Sequence, residues 1–236
     1  GDDIFTGYRR HTALAHEWTW RWLPQPLRGL GAGVARRVAG GGGGWGFQHP
    51  LLRRLTKAAS YIDQPSDRRL AAFFWWSTES LRRGLYTPEF AAKVAREDTA
   101  GPMLESLARI PLERDPMQRL LYLEGKHFLA DHNLNYTDKM GMAAGVEVRV
   151  PLLDRELVDY ASRIPTRLKQ RGREGKAIFK QAMEPLLPRE VIYRGKTGFG
   201  APLRRWLARE LQPLVEETTS PASLDRRGIF DSEAVR

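Results

Sequence analysis

Two carboxylates near the start of the chain lie in a short glycine-rich segment where a ligand could reach them. Asp2 and Asp3 stand between Gly1 and Gly7. Carboxylate oxygens suit Mg²⁺, which usually binds through one or two of them together with substrate phosphates. The pair is therefore a candidate for holding a metal ion and a phosphate-bearing ligand. The competing interpretation is a solvated acidic pair.

Lys176 stands at the start of a predicted helix rather than at its end. It follows the polar loop 171–175, and apolar residues recur at helical spacing after it. A lysine is ordinarily better placed at a helix C-terminus, where the macrodipole attracts a cation, so this position indicates an anion nearby. The alternative is an exposed lysine without a ligand.

Arg194 and Lys196 lie in a segment interrupted by Gly195, Gly198 and Gly200. A flexible loop that carries two cations can close over a phosphate-rich ligand. The alternative is a basic surface loop that joins two helices.

A short alternation of valines is the best strand candidate in the chain, and four charged residues border it. The valines are Val146, Val148 and Val150. If they face a core, the neighbouring charges cannot all be solvated, and we expect buried ion pairs that fix geometry. Direct substrate contact is the alternative role. The charged residues are Asp138, Glu147, Arg149 and Asp154.

Helical patterns dominate the rest of the sequence, which predicts a mostly α fold. Thr87-Pro88 and Asp115-Pro116 each join an N-cap side chain to a proline at the first helical position. Asp154 can cap a helix that Pro165 ends. Inward faces are predicted for Leu70, Phe73, Phe74, Trp75, Trp76 and Leu81; for Met117, Leu120, Leu121 and Phe128; for Leu157, Val158, Ala161 and Ile164; for Ile178, Phe179, Ala182, Met183 and Leu186; and, after Pro202, for Leu203, Trp206, Leu207 and Leu211.

The glycine-rich piece 29–46, which contains Gly40–Gly44, is predicted to be a flexible surface loop. Glycine loses more backbone entropy on ordering than any other residue. A phosphate cradle would need a strand before the glycines and a helix after them, and the sequence indicates neither.

The 236 residues carry a formal net charge of +10 and no cysteine. The cysteine count excludes disulfides within this sequence, and no apolar run reaches the length of a membrane helix, so the cytoplasm is the expected compartment. Basic residues concentrate between Arg9 and Arg69, where they could meet a nucleic acid. Because arginines and aromatics are not arranged as a stacking groove requires, a solvated surface is favoured and nucleic acid is not the favoured partner.

Several short motifs, taken in order, resemble the synthetase half of glutamine-dependent asparagine synthetase. Each motif alone is weak, whereas their fixed order is specific. The resemblance covers nearly the whole chain and is best over residues 115–212. The motifs are Gly1-Asp2-Asp3-Ile4-Phe5-Thr6-Gly7-Tyr8, Asp138-Lys139, Met142-Ala143, Glu147-Val148-Arg149-Val150-Pro151 with Leu153-Asp154, Gly175-Lys176, and Arg194 with Lys196-Thr197-Gly198-Phe199.

This resemblance implies the later, helical part of an α/β synthetase domain of the ATP-pyrophosphatase type, similar to the adenine nucleotide α-hydrolases. Residues 1–236 would be a single partial domain, with a pyrophosphate-loop remnant at 1–8 and a C-terminal tail at 213–236. In such enzymes a carboxylate attacks the α-phosphorus of ATP, pyrophosphate leaves, and ammonia from glutamine displaces AMP. The implied cofactors are ATP and Mg²⁺, and aspartate is the favoured acceptor.

The same resemblance assigns roles to individual residues. Asp2 would hold Mg²⁺, and Lys176 would be the catalytic residue that stabilises charge on the departing pyrophosphate. Arg194 and Lys196 would close over the site. The implied ATP- and pyrophosphate-binding residues are Gly1, Asp2, Asp3, Lys176, Arg194 and Lys196.

Departures from the family pattern leave the acceptor open among aspartate, lasso peptides, β-lactam precursors and sugar carboxylates. They are Gly141, Lys139, Leu152 and Phe179-Lys180. The family's Ser-Gly-Gly-X-Asp-Ser loop and its glutaminase cysteine do not occur in these residues. We therefore expect the chain to be inactive alone and to need both upstream segments as partners, and a homodimer stays open. A basic helical nucleic-acid-binding module and a noncatalytic scaffold are the alternatives from other classes.

Overall fold

The computed structural model describes residues 1–40, 56, 59–195 and 201–235. The chain forms two compact units. The first unit consists of Gly1–Ala32, Ala58–Trp75 and Ala100–Arg194, and the second of the described parts of Gly33–Lys57, Trp76–Thr99 and Gly195–Arg236.

The described residues are mostly helical, which confirms the predicted fold class. A π-helix, Glu124–Leu134, joins α8 to α9, and a 3₁₀ turn, Pro151–Leu153, precedes α10. Within the described ranges, β pairing is limited to two isolated bridges, Tyr86 with Phe230 and Arg171 with Glu174. The α-helices are α1 Arg9–Ala15, α2 Trp18–Arg21, α3 Gln25–Gly40, α4 Ser66–Ala72, α5 Glu79–Gly84, α6 Pro88–Lys93, α7 Gly101–Ala108, α8 Pro116–Leu123, α9 Asn135–Ala143, α10 Arg155–Arg163, α11 Thr166–Lys169, α12 Ala177–Met183, α13 Arg189–Ile192, α14 Leu203–Ala208, α15 Gln212–Thr218 and α16 Pro221–Arg227.

Three predicted helix starts are confirmed by their capping hydrogen bonds. The side chains of Thr87, Asp115 and Asp154 each accept a hydrogen bond from a backbone N–H two or three residues further on. Pro88 and Pro116 occupy the first helical position after the first two caps. Each cap satisfies a donor that has no partner inside its helix.

The main core of the first unit packs α4, α7 and α8 around leucine side chains. Its buried members are Leu14, Leu70, Phe74, Leu107, Met117, Leu120 and Leu123, with Leu121 and Phe128 packed against them. The predicted apolar stripe after Asp115 is therefore confirmed. It continues from α8 into the π-helix, which carries Phe128.

The helix predicted from Leu70 to Leu81 is interrupted, and this prediction was wrong. Helix α4 ends at Ala72, and the side chain of Trp76 is 85% exposed. The interruption has a local cause, because Thr78 caps α5 and an N-cap residue has non-helical backbone angles. Leu70 and Phe74 still belong to the core of the first unit.

A second core in the first unit joins the start of the chain to α10 and α12. Phe5 is buried and its ring stacks on that of Phe179, with centroids 5.1 Å apart. Ala161 and Ile164 complete the buried set, as predicted for the α10 face. Leu186 was predicted to face inward from the same helix as Phe179, but it is exposed, because α12 ends at Met183.

The valine segment is not a strand, and its side chains are exposed, so the prediction of buried ion pairs was wrong. Val146 N donates instead to Gly141 O at 2.9 Å and closes the end of α9. The segment that follows has no partner strand among the described residues. Arg149 pairs with Glu147 at 3.2 Å, but both side chains are in solvent. The other two charged residues of the group are not part of this pair: Asp138 is exposed on α9 and Asp154 is the cap of α10.

The prediction of a loop at residues 29–46 was wrong for 29–40, which lie in helix α3. Its small side chains allow close packing, since Ala32 and Ala35 are buried. A Cβ at Gly31 would lie 3.6 Å from the Ile62 side chain, which is ordinary contact. Residues 41–46, which include most of Gly40–Gly44, lie outside the described residues.

The second unit includes the region predicted as a C-terminal tail, 213–236. Helix α16 lies in that region, and Leu224 in it is buried. Backbone hydrogen bonds tie the end of the chain to the start of α6, with Thr87 N donating to Ile229 O at 3.1 Å. The inward face predicted after Pro202 was wrong for Leu203, Trp206 and Leu207, which are exposed.

Among the helices of the described residues, none combines the length and the apolar character that crossing a membrane requires.

Candidate functional site

The loop Gly1–Tyr8 and the turn at Gly175-Lys176 meet in the first unit. Lys176 N donates to Phe5 O at 2.8 Å. The Lys176 ammonium lies 2.8 Å from Asp2 Oδ1, and these two side chains are 33% and 25% exposed. The structure therefore brings together the lysine and the aspartate that the sequence singled out separately, in an ion pair between two partly exposed side chains.

Both segments are strained at the point of contact. Within the described residues, Thr6 and Lys176 are the only non-glycine residues with positive φ, at 65° and 59°. Such backbone costs about 1–3 kcal/mol per residue and is concentrated at functional sites. The left-handed angle of Lys176 ends the turn and directs the chain into α12, so the strain is tied to the position of its side chain.

Two glycines allow the segments to approach this closely. A Cβ at Gly175 would lie 1.9 Å from Thr6 O, and a Cβ at Gly7 would lie 1.8 Å from Asp2 Oδ1. Neither distance is compatible with a real side chain. The glycines in the two motifs therefore set the distance between Asp2 and Lys176.

Asp3 lies in a different environment from Asp2. It is buried and accepts hydrogen bonds from Tyr8 Oη at 3.1 Å and, more weakly, from Asn133 Nδ2 at 3.5 Å. Burial, followed by the charge of Asp3, raises the pKa of Tyr8 well above its usual value, so the phenol keeps its proton and stays a donor. Asp3 thus anchors the loop, and its predicted contact with pyrophosphate stays a prediction.

A buried charged cluster packs against Tyr8, the last residue of the loop. Glu124, the first residue of the π-helix, accepts from Arg10 at 2.5 Å, and the buried His11 lies beside it. The guanidinium of Arg10 also lies 4.7 Å from the ring centre of Tyr8 and 4.3 Å from that of Phe128. Arg10 is therefore occupied inside the protein rather than presented to a nucleic acid.

The sequence did not point to Glu124 or Asn133, whose contacts with Arg10 and with Asp3 and Tyr8 support the loop. Both lie on the π-helix, whose i→i+5 hydrogen bonds place residues on faces that helical periodicity does not predict. The signal in the sequence was Glu124, which falls within an apolar stripe at helical spacing. A buried glutamate normally has a cationic partner. That partner, Arg10, is distant in sequence.

Lys169 is hydrogen-bonded to the strained loop through its backbone carbonyl. Its carbonyl accepts from Thr6 Oγ1 at 3.0 Å, and its side chain is only 2% exposed. Burial lowers the pKa of its ammonium from 10.5 to about 8, with no carboxylate near enough to offset the shift. A buried lysine without an anionic partner destabilises the folded chain as long as it is protonated.

A magnesium site here would depend on Asp2 and on ligand oxygens. Over the described ranges, no group of three or more His, Asp or Glu side chains converges as a metal cluster. A site built from one carboxylate and substrate phosphates is the usual arrangement for Mg²⁺, and the partly exposed Asp2 fits it. Bound there, the ion would neutralise charge on phosphate oxygens.

The remaining predicted site residues are not brought to this loop by the described structure. Arg194 is exposed at the end of the first unit. Lys196 lies outside the described residues. Closure of this segment over the site stays a prediction.

Comparison with known proteins identifies the family of this chain. A sequence model of the asparagine synthase family matches residues 1–236. The chain belongs to the asparagine synthase family. The family's domain is of the ATP-pyrophosphatase type, as the order of motifs had predicted.

The similar proteins include several named as asparagine synthetases and one named as an amidase. A protein of Mycobacterium tuberculosis (strain CDC 1551 / Oshkosh), named putative asparagine synthetase (glutamine-hydrolyzing), is 29% identical over 206 residues, which is 87% of this chain and 29% of that protein. Asparagine synthetase (glutamine-hydrolyzing) 1 of Bacillus subtilis is 33% identical over 46% of this chain and 17% of its own length. Amidase chry2 of Gibberella zeae is 29% identical over 51% of this chain and 19% of its own length.

These family members are much longer than the present chain, which spans 29% of the mycobacterial relative. No solved structure matches the chain.

The contact between the two segments can be tested by filling the space at Gly175. We expect Gly175→Ala to destabilise the folded state by about 3 kcal/mol, because the new methyl group must displace a backbone carbonyl. Gly101→Ala is the matched control, since a Cβ there meets nothing within 4 Å, and its stability should be unchanged or slightly higher. Urea unfolding of the three proteins measures both effects, and equal midpoints would contradict the contact.

The buried lysine predicts a pH dependence of stability. Between pH 8 and 10.5 the unfolded chain keeps a proton on Lys169 that the folded chain has lost, so the free energy of unfolding rises with pH over this window. Lys169→Met should remove that contribution and stabilise the protein by roughly 1–3 kcal/mol at pH 7. Denaturation of wild type and variant from pH 6 to 11 measures the difference, which should shrink above pH 8. A constant difference would show that the lysine titrates normally.

Proposed function

We propose that this chain is the helical part of an ATP-dependent ligase that activates a carboxylate as its adenylate and converts it to an amide. Glutamine is the proposed source of ammonia, and aspartate is the proposed acceptor. The observation that carries the proposal is the ion pair between Lys176 and Asp2 on two strained segments.

The chemistry requires a cation where negative charge develops. When a carboxylate oxygen attacks the α-phosphorus, the bond to the bridging oxygen breaks and pyrophosphate departs with the bonding electrons. An ammonium held beside that oxygen stabilises the transition state more than the ground state. Lys176 is suited to this role because its backbone is fixed by Phe5 and its side chain remains partly exposed.

The pairing with Asp2 keeps that cation in place before a ligand binds. The Asp2 carboxylate would hold Mg²⁺ when the ion is bound, and Lys176 would then be available to the phosphates. Asp3 would keep the loop in position through Tyr8 and Asn133, without touching the metal. Two adjacent carboxylates thus have separate roles because only one of them is buried.

Replacing Lys176 tests the assignment in the full-length protein. We expect Lys176→Ala to lower the rate of ATP–pyrophosphate exchange by at least about 10²–10³-fold, because a preorganised charge at the reacting centre is lost. Glutaminase activity should persist. Lys180→Ala is the matched control on the same helix, where the lysine pairs with Glu174 at 3.0 Å, and its exchange rate should stay within a few-fold of wild type.

A second substitution at the same position separates catalysis from folding. Lys176→Gly removes the ammonium and also relieves the left-handed backbone strain, so this variant should be at least as stable as Lys176→Ala. Both variants should lose exchange. An active Lys176→Gly protein would rule out a catalytic role for the side chain.

The acceptor is a separate prediction, since the relatives include proteins named as asparagine synthetases and one named as an amidase. With the full-length protein, ATP and glutamine, aspartate should give stoichiometric AMP and asparagine. Chromatography of AMP formed with aspartate, with other carboxylates and with no acceptor measures the specificity. AMP formation that depends on a different carboxylate would reject aspartate and retain the adenylation chemistry.

A further inference from the structure

A cleft in the first unit is lined by Asp3 and Ile4 of the loop together with residues of several helices. Its volume is about 480 Å³, within the range of about 300–1,000 Å³ that is usual for small-molecule sites. Apolar side chains form much of its wall, among them Ile4, Ile110, Leu121 and Val158. The cleft is thus large enough and apolar enough to hold an organic ligand.

Lys169 is a buried cation of this wall for which the described part of the chain supplies no anionic partner. It lines the cleft and is 2% exposed. Among the described residues, no carboxylate or carbonyl oxygen lies within hydrogen-bonding distance of its ammonium. A buried cation of this kind normally has an anionic partner.

The other charges that line the cleft do not supply that partner. Asp3 is the one acidic side chain among the lining residues, and its carboxylate is already a hydrogen-bond acceptor for Tyr8. Arg119 is neutralised by Asp67 at 2.8 Å and donates to the carbonyls of Ile110 and Pro111. The remaining charged lining residues, Arg114 and Lys126, are cations. The cleft therefore has an excess of positive charge.

We propose that this cleft binds a small aliphatic monocarboxylate, whose carboxylate pairs with Lys169. The apolar part would lie against the aliphatic wall. The carboxylate would replace the water that a protonated lysine must otherwise retain. The proposed contact is made by Lys169 and not by Asp2 or Lys176, so it stands whether or not the proposed function is correct.

Three ligands with similar aliphatic chains but different charges test the proposal. The probes are octanoate, 1-octanol and octylamine, titrated into the protein at pH 7 by isothermal calorimetry. Octanoate should bind at least about tenfold more tightly than octanol, because it adds a charge-assisted contact to the same burial, and octylamine should bind most weakly. Equal affinities for the three probes would overturn the proposal.

Substitution locates the contact. Lys169→Met should weaken octanoate binding by about tenfold or more while leaving octanol binding unchanged or stronger. Lys139→Met is the control, because this exposed lysine of the same unit does not line the cleft, and its octanoate affinity should equal that of wild type. Undiminished octanoate affinity in Lys169→Met would also overturn the assignment.

The pH dependence in the wild-type protein gives a test that needs no variant. The Lys169 ammonium loses its proton near pH 8, whereas octanoate keeps its charge over this range. The other charged groups that line the cleft with Lys169 are Asp3, Arg114, Arg119 and Lys126. Octanoate affinity should therefore fall by about tenfold between pH 7 and pH 9.5, and octanol affinity should not. Octanoate binding that does not change with pH would exclude Lys169 as its partner.

Discussion

The contact between the Gly1–Tyr8 loop and the Gly175-Lys176 turn is the constraint on which the site depends. It is made by backbone atoms, with Lys176 N on Phe5 O, and the side chains follow from it. A hydrogen bond of this type contributes only about 1 kcal/mol, which does not exceed the cost of two left-handed residues. The strain is therefore offset elsewhere, mainly by the burial of Phe5 and its stacking on Phe179.

Asp2 and Asp3 have different roles because of the way in which that loop is held in place. A loop positioned only by the ion pair of Asp2 would move whenever a metal ion competed for the carboxylate. The buried network reduces this dependence, because its hydrogen bonds join Asp3, Tyr8 and Asn133 to one another. The π-helix supplies both Asn133 and Glu124, so its irregular geometry serves the loop at two points.

The sequence predicted what depends on local rules and on motif order. The caps at Asp115 and Asp154 need only a side chain and the next few N–H groups, and both were correct. The pairing of Asp2 with Lys176 could be anticipated only because the family resemblance places both residues near the same phosphates. The burial of the valine segment could not be predicted, since alternation indicates a strand only where a partner strand exists, and the described residues offer none.

Lys169 and Lys176 lie seven residues apart, and their different surroundings show why charge alone is a poor guide to function. Lys176 is paired with Asp2 and partly exposed, so a ligand can reach its side chain. Lys169 is buried and lacks an anion, and its proton is held less tightly as a result. Thr6 connects the two lysines, because its hydroxyl group donates to the carbonyl of Lys169 while its own left-handed backbone lies against the turn at Lys176. An anion bound beside Lys169 would offset the free-energy cost of burying its charge. It would thereby stabilise α11, whose last residue accepts a hydrogen bond from the strained loop.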